Sequence, residues 1–275
     1  MNLEQMIKQE VKNMKVEKVM VTSDYHVPYM DVKAYEVMKQ YIKDYKPNHF
    51  VINGDMMDFY KLSKFEKSPD RKSTTNQDIH VAKNILEDLR NTLGKRCKMY
   101  FLEGNHENRL QRYLWKNPEL SDMNELRIDY LLHLDKYNIK FTPVDGDYWR
   151  TDTGHLKLAD TLIMHGDNRL NGASTSKYSG YSVKNTILGS TQMNTIIGHI
   201  HRLNHFYHTT PYNTLQGMEC GCLCEPTGTA NWQQGFVTFE MKGKKDNLTS
   251  VNFKTHYIKN GLMFEDNKDY KFKQN

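Results

Sequence analysis

The stretch Phe50-Val51-Ile52-Asn53-Gly54-Asp55-Met56-Met57-Asp58 decides the fold of this 275-residue chain, because it joins an apolar run to a polar motif. The run is short and rich in β-branched and aromatic residues, which is typical of a buried strand. Four other apolar runs end on polar motifs in the same way. In chain order the five motifs are Asp24-Tyr25-His26, Gly54-Asp55-Met56-Met57-Asp58, Gly104-Asn105-His106-Glu107, His165-Gly166-Asp167 and Gly198-His199-Ile200-His201.

We expect these five motifs to meet in one crevice. Ligands of open α/β sheets bind outside the carboxyl ends of the strands, where the motifs would lie. The crevice would hold several aspartates, an asparagine and a group of histidines. Carboxylate oxygens, amide oxygens and imidazoles are common ligands of divalent metal ions. The sequence therefore predicts a metal centre.

Taken in order, the motifs resemble those of the calcineurin-like metallophosphoesterase superfamily: D-x-H, G-D-x-x-D, G-N-H-E, a lone histidine and G-H-x-H. The resemblance extends from Asp24 to His201, and five motifs in family order are far more specific than any one of them. It implies an α/β fold, a four-layer sandwich of two mixed β-sheets flanked by helices. It also implies a phosphoesterase with two divalent metal ions, which clamp the oxygens of an in-line displacement.

The resemblance also implies a ligand set for each ion. One ion would be bound by Asp24, His26, Asp55 and His201, and the other by Asp55, Asn105, His165 and His199. Open coordination positions would remain for phosphate oxygens and for a bridging hydroxide that attacks phosphorus. In an extended segment, residues two apart share a side, so we expect Asp24 to lie beside His26, and His199 beside His201. Manganese is the first expectation for both ions, with Fe, Zn, Co, Ni or Mg as alternatives.

Further residues of the motifs receive supporting roles from the same resemblance. His106 would be the catalytic acid that protonates the leaving oxygen. Three carboxylates would hold a ligand imidazole or the His106 ring in place, or would be ordinary turn and capping residues: Asp58, Glu107 and Asp167. Arg109 and Arg202 lie nearest the motifs in sequence and are the candidates for binding the substrate phosphate.

Two departures from the family's serine/threonine phosphatases favour its phosphodiesterase and nuclease branches. Phe59-Tyr60 stands where those phosphatases have Arg-Gly, and Glu103 stands where they have an arginine that holds the substrate phosphate. We therefore expect hydrolysis of phosphodiester bonds in nucleic acid or nucleotides. The alternatives are a broad phosphomonoesterase and a non-catalytic scaffold, although a scaffold would be marked by lost metal ligands.

No linker, repeat or low-complexity tract divides the chain, so we expect a single metallophosphoesterase domain over residues 1–275. Two segments beside the motifs, about 59–75 and 107–136, are interpreted as cap-like elements at the rim of the metal site. Both contain basic and aromatic side chains, which would bind nucleic acid by charge and stacking. The alternative is that these basic residues form a solvated face.

Outside the motifs, hydrophobic periodicity predicts the remaining elements. The predicted helices cover 31–45, 79–93, 107–115, 122–134 and 177–188. The second follows a capping box, Thr75-Asn76-Gln77-Asp78. The strands predicted after the last motif cover 203–208, 213–218, 235–241 and 249–258, and a frayed end is expected from Asp266 to Asn275.

Composition places few limits on function. The formal net charge is +5, which suits an anionic substrate. No signal-peptide core and no run of membrane-span length is found, so we expect a cytoplasmic protein that contacts no membrane. Oligomeric state is left open. Cys97, Cys220, Cys222 and Cys224 do not predict a disulfide framework, and the Cys-x-Cys-x-Cys spacing is interpreted as a buried face, with metal or redox chemistry as the alternative.

Overall fold

Thirteen strands form three sheets in the computed structural model, which describes residues 14–144, 154–167, 176, 178–227, 231–244 and 247–273. The strands are β1 (Lys15–Thr22), β2 (His49–Asn53), β3 (Lys98–Leu102), β4 (Ile139–Thr142), β5 (His155–Leu158), β6 (Thr161–Met164), β7 (Asn194–Ile197), β8 (Leu203–Thr209), β9 (Thr214–Cys220), β10 (Gln234–Lys244), β11 (Asn247–Ile258), β12 (Leu262–Glu265) and β13 (Lys268–Lys271). The α-helices of the described residues are α1 (Val32–Tyr45), α2 (Thr75–Leu93), α3 (Asn108–Lys116), α4 (Ile128–Leu131) and α5 (Tyr181–Thr186).

Both large sheets are mixed. The six-stranded sheet has the order β11-β10-β1-β2-β3-β4, and its strands from β1 to β4 are parallel. The five-stranded sheet has the order β5-β6-β7-β9-β8, with β6, β7 and β9 parallel. Strands β12 and β13 form a separate antiparallel hairpin. The carboxyl ends of β1, β2 and β3 therefore lie at one edge of the first sheet, and those of β6 and β7 at one edge of the second.

Alternating side chains build the layers. Val19 and Val21 of β1 enter an apolar cluster with Ile196 of β7, whereas Met20 between them packs on the other face of its sheet with the helices. A third cluster joins the outer face of the second sheet to Val183 of α5. The period of two along each strand thus buries both of its faces. The result is helices, sheet, sheet and helices, so the expected four-layer sandwich of two mixed sheets is confirmed.

The two long helices begin at side-chain caps. Asp31 caps α1 by accepting hydrogen bonds from the backbone N–H groups of Lys33 (2.7 Å) and Ala34 (3.3 Å). Helix α2 begins with a capping box between Thr74 and Gln77, one residue earlier than predicted. The backbone of Thr74 is extended, with φ −93° and ψ 152°, so its hydroxyl is free to accept the N–H at the third helical position.

Predictions from the local sequence pattern were wrong in two regions. The helix predicted over 122–134 is a 3₁₀ turn at Asn124–Leu126 followed by the single turn α4. The end predicted to fray contains β13, whose Tyr270 is 5 % exposed and packs its ring 5.5 Å from that of Tyr41 in α1. Packing against another layer orders this polar strand, and sequence distance hides that contact. Residues 274 and 275 lie outside the described part of the chain.

No helix within the described ranges is both long enough and apolar enough to span a membrane.

Candidate metal centre

The five motifs follow β1, β2, β3, β6 and β7, and their backbones bend sharply. Asp24, His26, Asp55, His199 and His201 all have positive φ, between 50° and 68°. The expectation that the 24/26 and 199/201 pairs lie in extended segments is therefore wrong. The left-handed region is costly for residues other than glycine and is concentrated at functional sites. Tight turns, rather than a strand's period of two, set the directions of these side chains.

A first group of ligand atoms lies around His26. Its Nε2 is 3.0 Å from Nε2 of His201 and 3.7 Å from Oδ1 of Asp24. Nε2 of His201 is 3.1 Å from the same Asp24 oxygen. Oδ2 of Asp55 lies 3.7 Å from Nε2 of His26. These are the four residues expected to bind one ion.

A second group surrounds His165. Its Nε2 lies 3.2 Å from Oδ2 of Asp55 and 3.1 Å from Oδ1 of Asn105. His199 joins them, because ligand atoms of Asp55, His165 and His199 all lie within 4.8 Å of one another. The four residues expected to bind the other ion are thus also brought together, and the same Asp55 oxygen faces both groups.

The donor atoms fit divalent ions in type and in spacing. Two ligand atoms that are each about 2.1 Å from one ion are separated by about 3.0–3.4 Å at the usual coordination angles. The shorter distances in both groups lie in this range. Oδ1 of Asp24 is buried without a hydrogen-bond partner, although His201 lies within 3.1 Å of it. An unpaired buried carboxylate oxygen is costly, and a cation at the focus of the group would remove that cost.

Asp24 and Asp55 each direct one carboxylate oxygen into the cluster and use the other oxygen to accept hydrogen bonds from neighbouring residues. Oδ2 of Asp24 accepts hydrogen bonds from the Ser23 hydroxyl (2.5 Å) and the His199 backbone N–H (2.9 Å), and Oδ1 of Asp55 accepts from the His106 backbone N–H (2.9 Å). This arrangement leaves Asp24 Oδ1 and Asp55 Oδ2 directed into the cluster. Ser23 was not predicted from the sequence, where its only signal is its position directly before Asp24.

Two imidazoles are oriented through the nitrogen that faces away from the cluster. Nδ1 of His165 donates to the Asn53 carbonyl at 2.8 Å, and Nδ1 of His26 lies 3.3 Å from Oδ2 of Asp58. Contacts of this kind select the tautomer whose Nε2 is free to bind a metal. Asp58 therefore contacts the imidazole of a candidate ligand, and the contact of Asn53 with His165 was not predicted from the sequence.

The electrostatic field of the cluster favours positive charge. Burial alone would lower the pKa of His165, but the surrounding carboxylates, Asp55 foremost and then Asp24, together raise it to about 10. Burial likewise opposes protonation of His201, and Asp24 raises its pKa to about 9. Asp167 is buried two residues from His165, and its charge acts in the same direction. The field that attracts protons to these imidazoles is equally suited to a divalent cation.

Glu107 holds the backbone of the two central motifs together. It is fully buried, and its carboxylate accepts backbone N–H groups of Asp55 (2.9 Å), Met57 (2.8 Å) and Gly104 (2.9 Å). Burial raises its pKa to about 7, with Asp55 acting in the same direction. Glu107 therefore contacts backbone rather than an imidazole, and it fixes the turn that carries Asp55.

His106 lies at the border of the cluster, with Nε2 3.8 Å from Oδ2 of Asp55. Its Nδ1 donates to the Asp58 carbonyl at 2.9 Å. Arg109 donates to Nε2 of His106 (2.9 Å) and to the Asp58 carbonyl (2.7 Å). Arg202, in contrast, contacts the carbonyl of Ser176 near the start of α5. The structure thus brings one of the two candidate arginines to the predicted catalytic histidine.

The positions that depart from the phosphatase pattern have structural contacts here. Phe59 is 2 % exposed and packs in the core. Glu103 is buried, and its Oε2 accepts the backbone N–H of Val144 at 2.6 Å. Both side chains are thus turned inward into the protein.

The segment after Asp58 reaches the rim through an aromatic contact. The Arg71 guanidinium lies 4.4 Å from the ring centre of Tyr29 and 4.2 Å from that of Tyr60. Tyr29 comes three residues after His26, so this contact ties residues 60–71 to the mouth of the cluster.

Comparison with known proteins agrees with this geometry. The chain belongs to the calcineurin-like phosphoesterase family, whose model matches residues 17–216. It is therefore a metal-dependent hydrolase of phosphoric esters, as the motifs predicted, and its clustered ligand atoms are consistent with divalent-metal binding.

Two curated relatives come from bacteriophages. The gene 54 protein of Mycobacterium phage L5 is 26 % identical over 243 residues, covering 82 % of this chain and 90 % of the relative. The gene 54 protein of Mycobacterium phage D29 is 27 % identical over 244 residues, covering 82 % and 89 %.

Solved structures with similarity include vacuolar protein sorting 29 from Cryptosporidium parvum, with a TM-score of 0.44, 12 % identity and coverage of 92 % of this chain and 94 % of that one. Pseudomonas putida nuclease MPE has a TM-score of 0.36 and 10 % identity, covering 92 % of this chain and 87 % of its own.

Replacing Glu107 with alanine should weaken both stability and metal binding. Three buried N–H groups would lose their acceptor, which at about 1–3 kcal/mol each predicts a loss of about 3 kcal/mol or more in urea unfolding. Glu219 in β9 of the other sheet is the matched control, because it is equally buried and accepts the N–H groups of Gly180 and Val183 at the start of α5. Glu219→Ala should lose stability but keep its Mn²⁺ affinity. Equal Mn²⁺ affinity in both folded variants would contradict the role of Glu107.

Proposed function

We propose that this chain binds two divalent metal ions, manganese first among the candidates, and hydrolyses phosphodiester bonds of nucleic acid or nucleotides. The observation that carries the proposal is the position of Asp55. Its Oδ2 lies 3.2 Å from Nε2 of His165 and 3.7 Å from Nε2 of His26, so one oxygen faces both ligand groups. The proposed ligands are Asp24, His26, Asp55, Asn105, His165, His199 and His201.

Bound divalent ions supply Lewis-acid polarisation of the phosphoryl group and activation of water. The chain's own residues then position the reacting groups. Asp24 and Asp55 keep one oxygen each directed inward. The Ser23 hydroxyl and the backbone N–H groups of His106 and His199 donate to the other oxygens and hold them in place. Such preorganisation allows the charge of the transition state to be met without rearrangement.

His106 is the proposed acid. Its Nε2 is the ring nitrogen nearer to Asp55. In the structure this nitrogen accepts a hydrogen bond from Arg109, so Nε2 carries the proton for a leaving oxygen once Arg109 donates that hydrogen bond to the substrate phosphate instead. Nδ1 donates to the Asp58 carbonyl and sets the ring plane. Arg109 lies against the same Nε2, where its remaining N–H groups can bind a non-bridging phosphate oxygen.

The charge balance favours a diester over a monoester. A phosphomonoester carries a charge of about −1.5 to −2 at neutral pH, whereas a diester carries one negative charge. The chain has the inward-turned Phe59 and Glu103 where arginines serve the dianionic substrates of the related phosphatases. A broad phosphomonoesterase remains the second candidate function, and hydrolysis rates on matched mono- and diesters distinguish the two.

We further propose a single domain over residues 1–275, with segments 59–75 and 107–136 as caps beside the metal site. Both segments expose large aromatic side chains: Phe65 is 66 % exposed, Tyr113 43 % and Trp115 47 %. Exposed lysines alternate with these rings in the first segment. Rings that stack on bases beside cations that neutralise phosphates are the usual surface for single-stranded nucleic acid.

Replacing Asp55 with alanine should remove at least one of two bound ions, because each ligand group would lose its shared oxygen. Metal content per chain after dialysis against Mn²⁺ measures the loss. Asp160→Ala is the control, since Asp160 accepts the Ser250 N–H at the turn between β5 and β6 and should leave two ions bound. If Asp55→Ala still carries both ions, the bridging assignment is wrong.

His106→Ala should reduce hydrolysis of substrates with poor leaving groups by about two to four orders of magnitude while the metal content stays unchanged. The loss should shrink for nitrophenyl diesters, whose leaving group needs little protonation. His80→Ala, an exposed histidine in α2, should change neither rate. Equal losses on good and poor leaving groups would argue against an acid, and loss of metal would instead make His106 a ligand.

Replacing Lys61, Lys64 and Lys72 with glutamine should weaken polynucleotide binding and make the binding affinity less dependent on salt concentration. Each phosphate contact contributes about 0.7 to the slope of log affinity against log salt for single strands, so a reduction of about 2 is expected. The control removes three equally exposed lysines from the opposite end of the first sheet, Lys43, Lys46 and Lys95. Identical slopes in both triple variants would exclude the first segment as a nucleic-acid surface.

A further inference from the structure

The imidazole of His201 has an unusual neighbour. Its Nε2 faces the ligand cluster, 3.1 Å from Oδ1 of Asp24 and 3.0 Å from Nε2 of His26. Its Nδ1 points the other way and lies 3.9 Å from the Sγ of Cys224. A thiol therefore occupies the place that a carboxylate or carbonyl oxygen occupies behind His26 and His165.

The position of the Cys224 sulfur is set by the backbone. Cys224 is 3 % exposed, and its N–H donates to the carbonyl of Asp24 at 3.1 Å. Its own carbonyl accepts from the side-chain amide of Gln234 at 3.0 Å. The backbone of Cys224 is thus attached directly to the motif that carries a proposed ligand, and this attachment places its Cβ and thiol beside His201.

The opposite side of the His201 ring is also held. The ring of Trp232 meets it edge to face, with centroids 4.1 Å apart. The N–H of Gln233 donates to the His201 carbonyl at 2.8 Å. With the ring confined by Trp232 and the backbone tied by Gln233, the contact with Cys224 decides which way Nδ1 points.

We propose that Cys224 is a positioning residue of the metal centre. Its thiol accepts the Nδ1–H of His201 and so keeps Nε2 directed at the ion that His201 binds. This inference rests on the proposed function, because it takes His201 to be a ligand. Groups that orient a ligand histidine in this way are worth about 10–100-fold in metal affinity.

Cys224→Ala tests the role directly. One of the two Mn²⁺ dissociation constants should rise about 10–100-fold in equilibrium dialysis, and the other should stay within about twofold of the original. Cys224→Ser, which keeps a smaller acceptor, should lose less affinity. Cys97→Ala is the matched control: Cys97 is buried to a similar extent, but its sulfur contacts the carbonyl of Lys98 at the start of β3 and no residue of the cluster motifs. That variant should bind Mn²⁺ as the original chain does.

Three outcomes would overturn the inference. Unchanged Mn²⁺ affinity in folded Cys224→Ala would show that the thiol does not support His201. An equal loss in Cys97→Ala, or a serine variant as weak as the alanine variant, would show that packing alone is responsible. A sulfur-to-cobalt charge-transfer band in the Co²⁺-loaded protein, absent from Cys224→Ala, would make Cys224 a metal ligand instead.

His201→Ala separates this inference from the proposed function. If that variant keeps both ions at full affinity, the ligand assignment itself fails. If His201→Ala loses one ion while Cys224→Ala keeps both, the ligand assignment stands and only the role of Cys224 is overturned.

Discussion

The buried negative charge of Asp24 and Asp55 is the constraint on which the rest of the site depends. Their side chains are 0 % and 1 % exposed, and carboxylates without water need compensating positive charge and hydrogen bonds. His165 and His201 respond with raised pKa values, because protonation would supply that charge. A divalent cation compensates better, since it accepts oxygen and nitrogen donors together at short distance. The cluster is thus a site that the protein tolerates because a cation can enter it.

The backbone turns that carry these two carboxylates are strained. Left-handed backbone at Asp24 and Asp55 costs free energy, and it persists only where neighbouring contacts determine the conformation. Glu107 provides such contacts by accepting three backbone N–H groups around the Asp55 turn. Close packing between the motifs adds to these contacts. A Cβ at position 198 would lie 2.0 Å from the hydroxyl oxygen of Ser23, so only glycine fits there. Contacts on the side away from the cluster therefore hold the turns in place, which leaves the carboxylate oxygens that face the cluster free.

Two parts of the site are held in place by different interactions: the buried cluster, which is its floor, and the exposed segments proposed as its rim. The floor consists of buried groups with fixed partners, whereas the segment containing Arg71 is exposed and is tied down by contacts between cations and aromatic rings. Interactions of that kind are modest at the surface, at about 0.5–1 kcal/mol each. Phosphoester chemistry can thus depend on a rigid floor while selectivity depends on a rim that can vary. Arg109 joins the two, because it contacts His106 within the site and belongs to helix α3, which lies in the segment proposed as a cap.

The sequence by itself determined the family, because local patterns of apolar and polar residues reveal the strand ends and the order of the motifs. The resemblance to that family in turn implied the two-sheet architecture and the residues of the cluster. The strand β13, the supporting groups Ser23 and Asn53 and the thiol behind His201 depended on the tertiary structure. Asn53 acts on His165 and Cys224 on His201, partners that are distant in sequence. Ser23 is adjacent to Asp24, but its hydroxyl also contacts the carbonyl of Asn53, 30 residues away. The left-handed turns were missed for the same reason, since contacts between motifs, rather than local propensity, stabilise them.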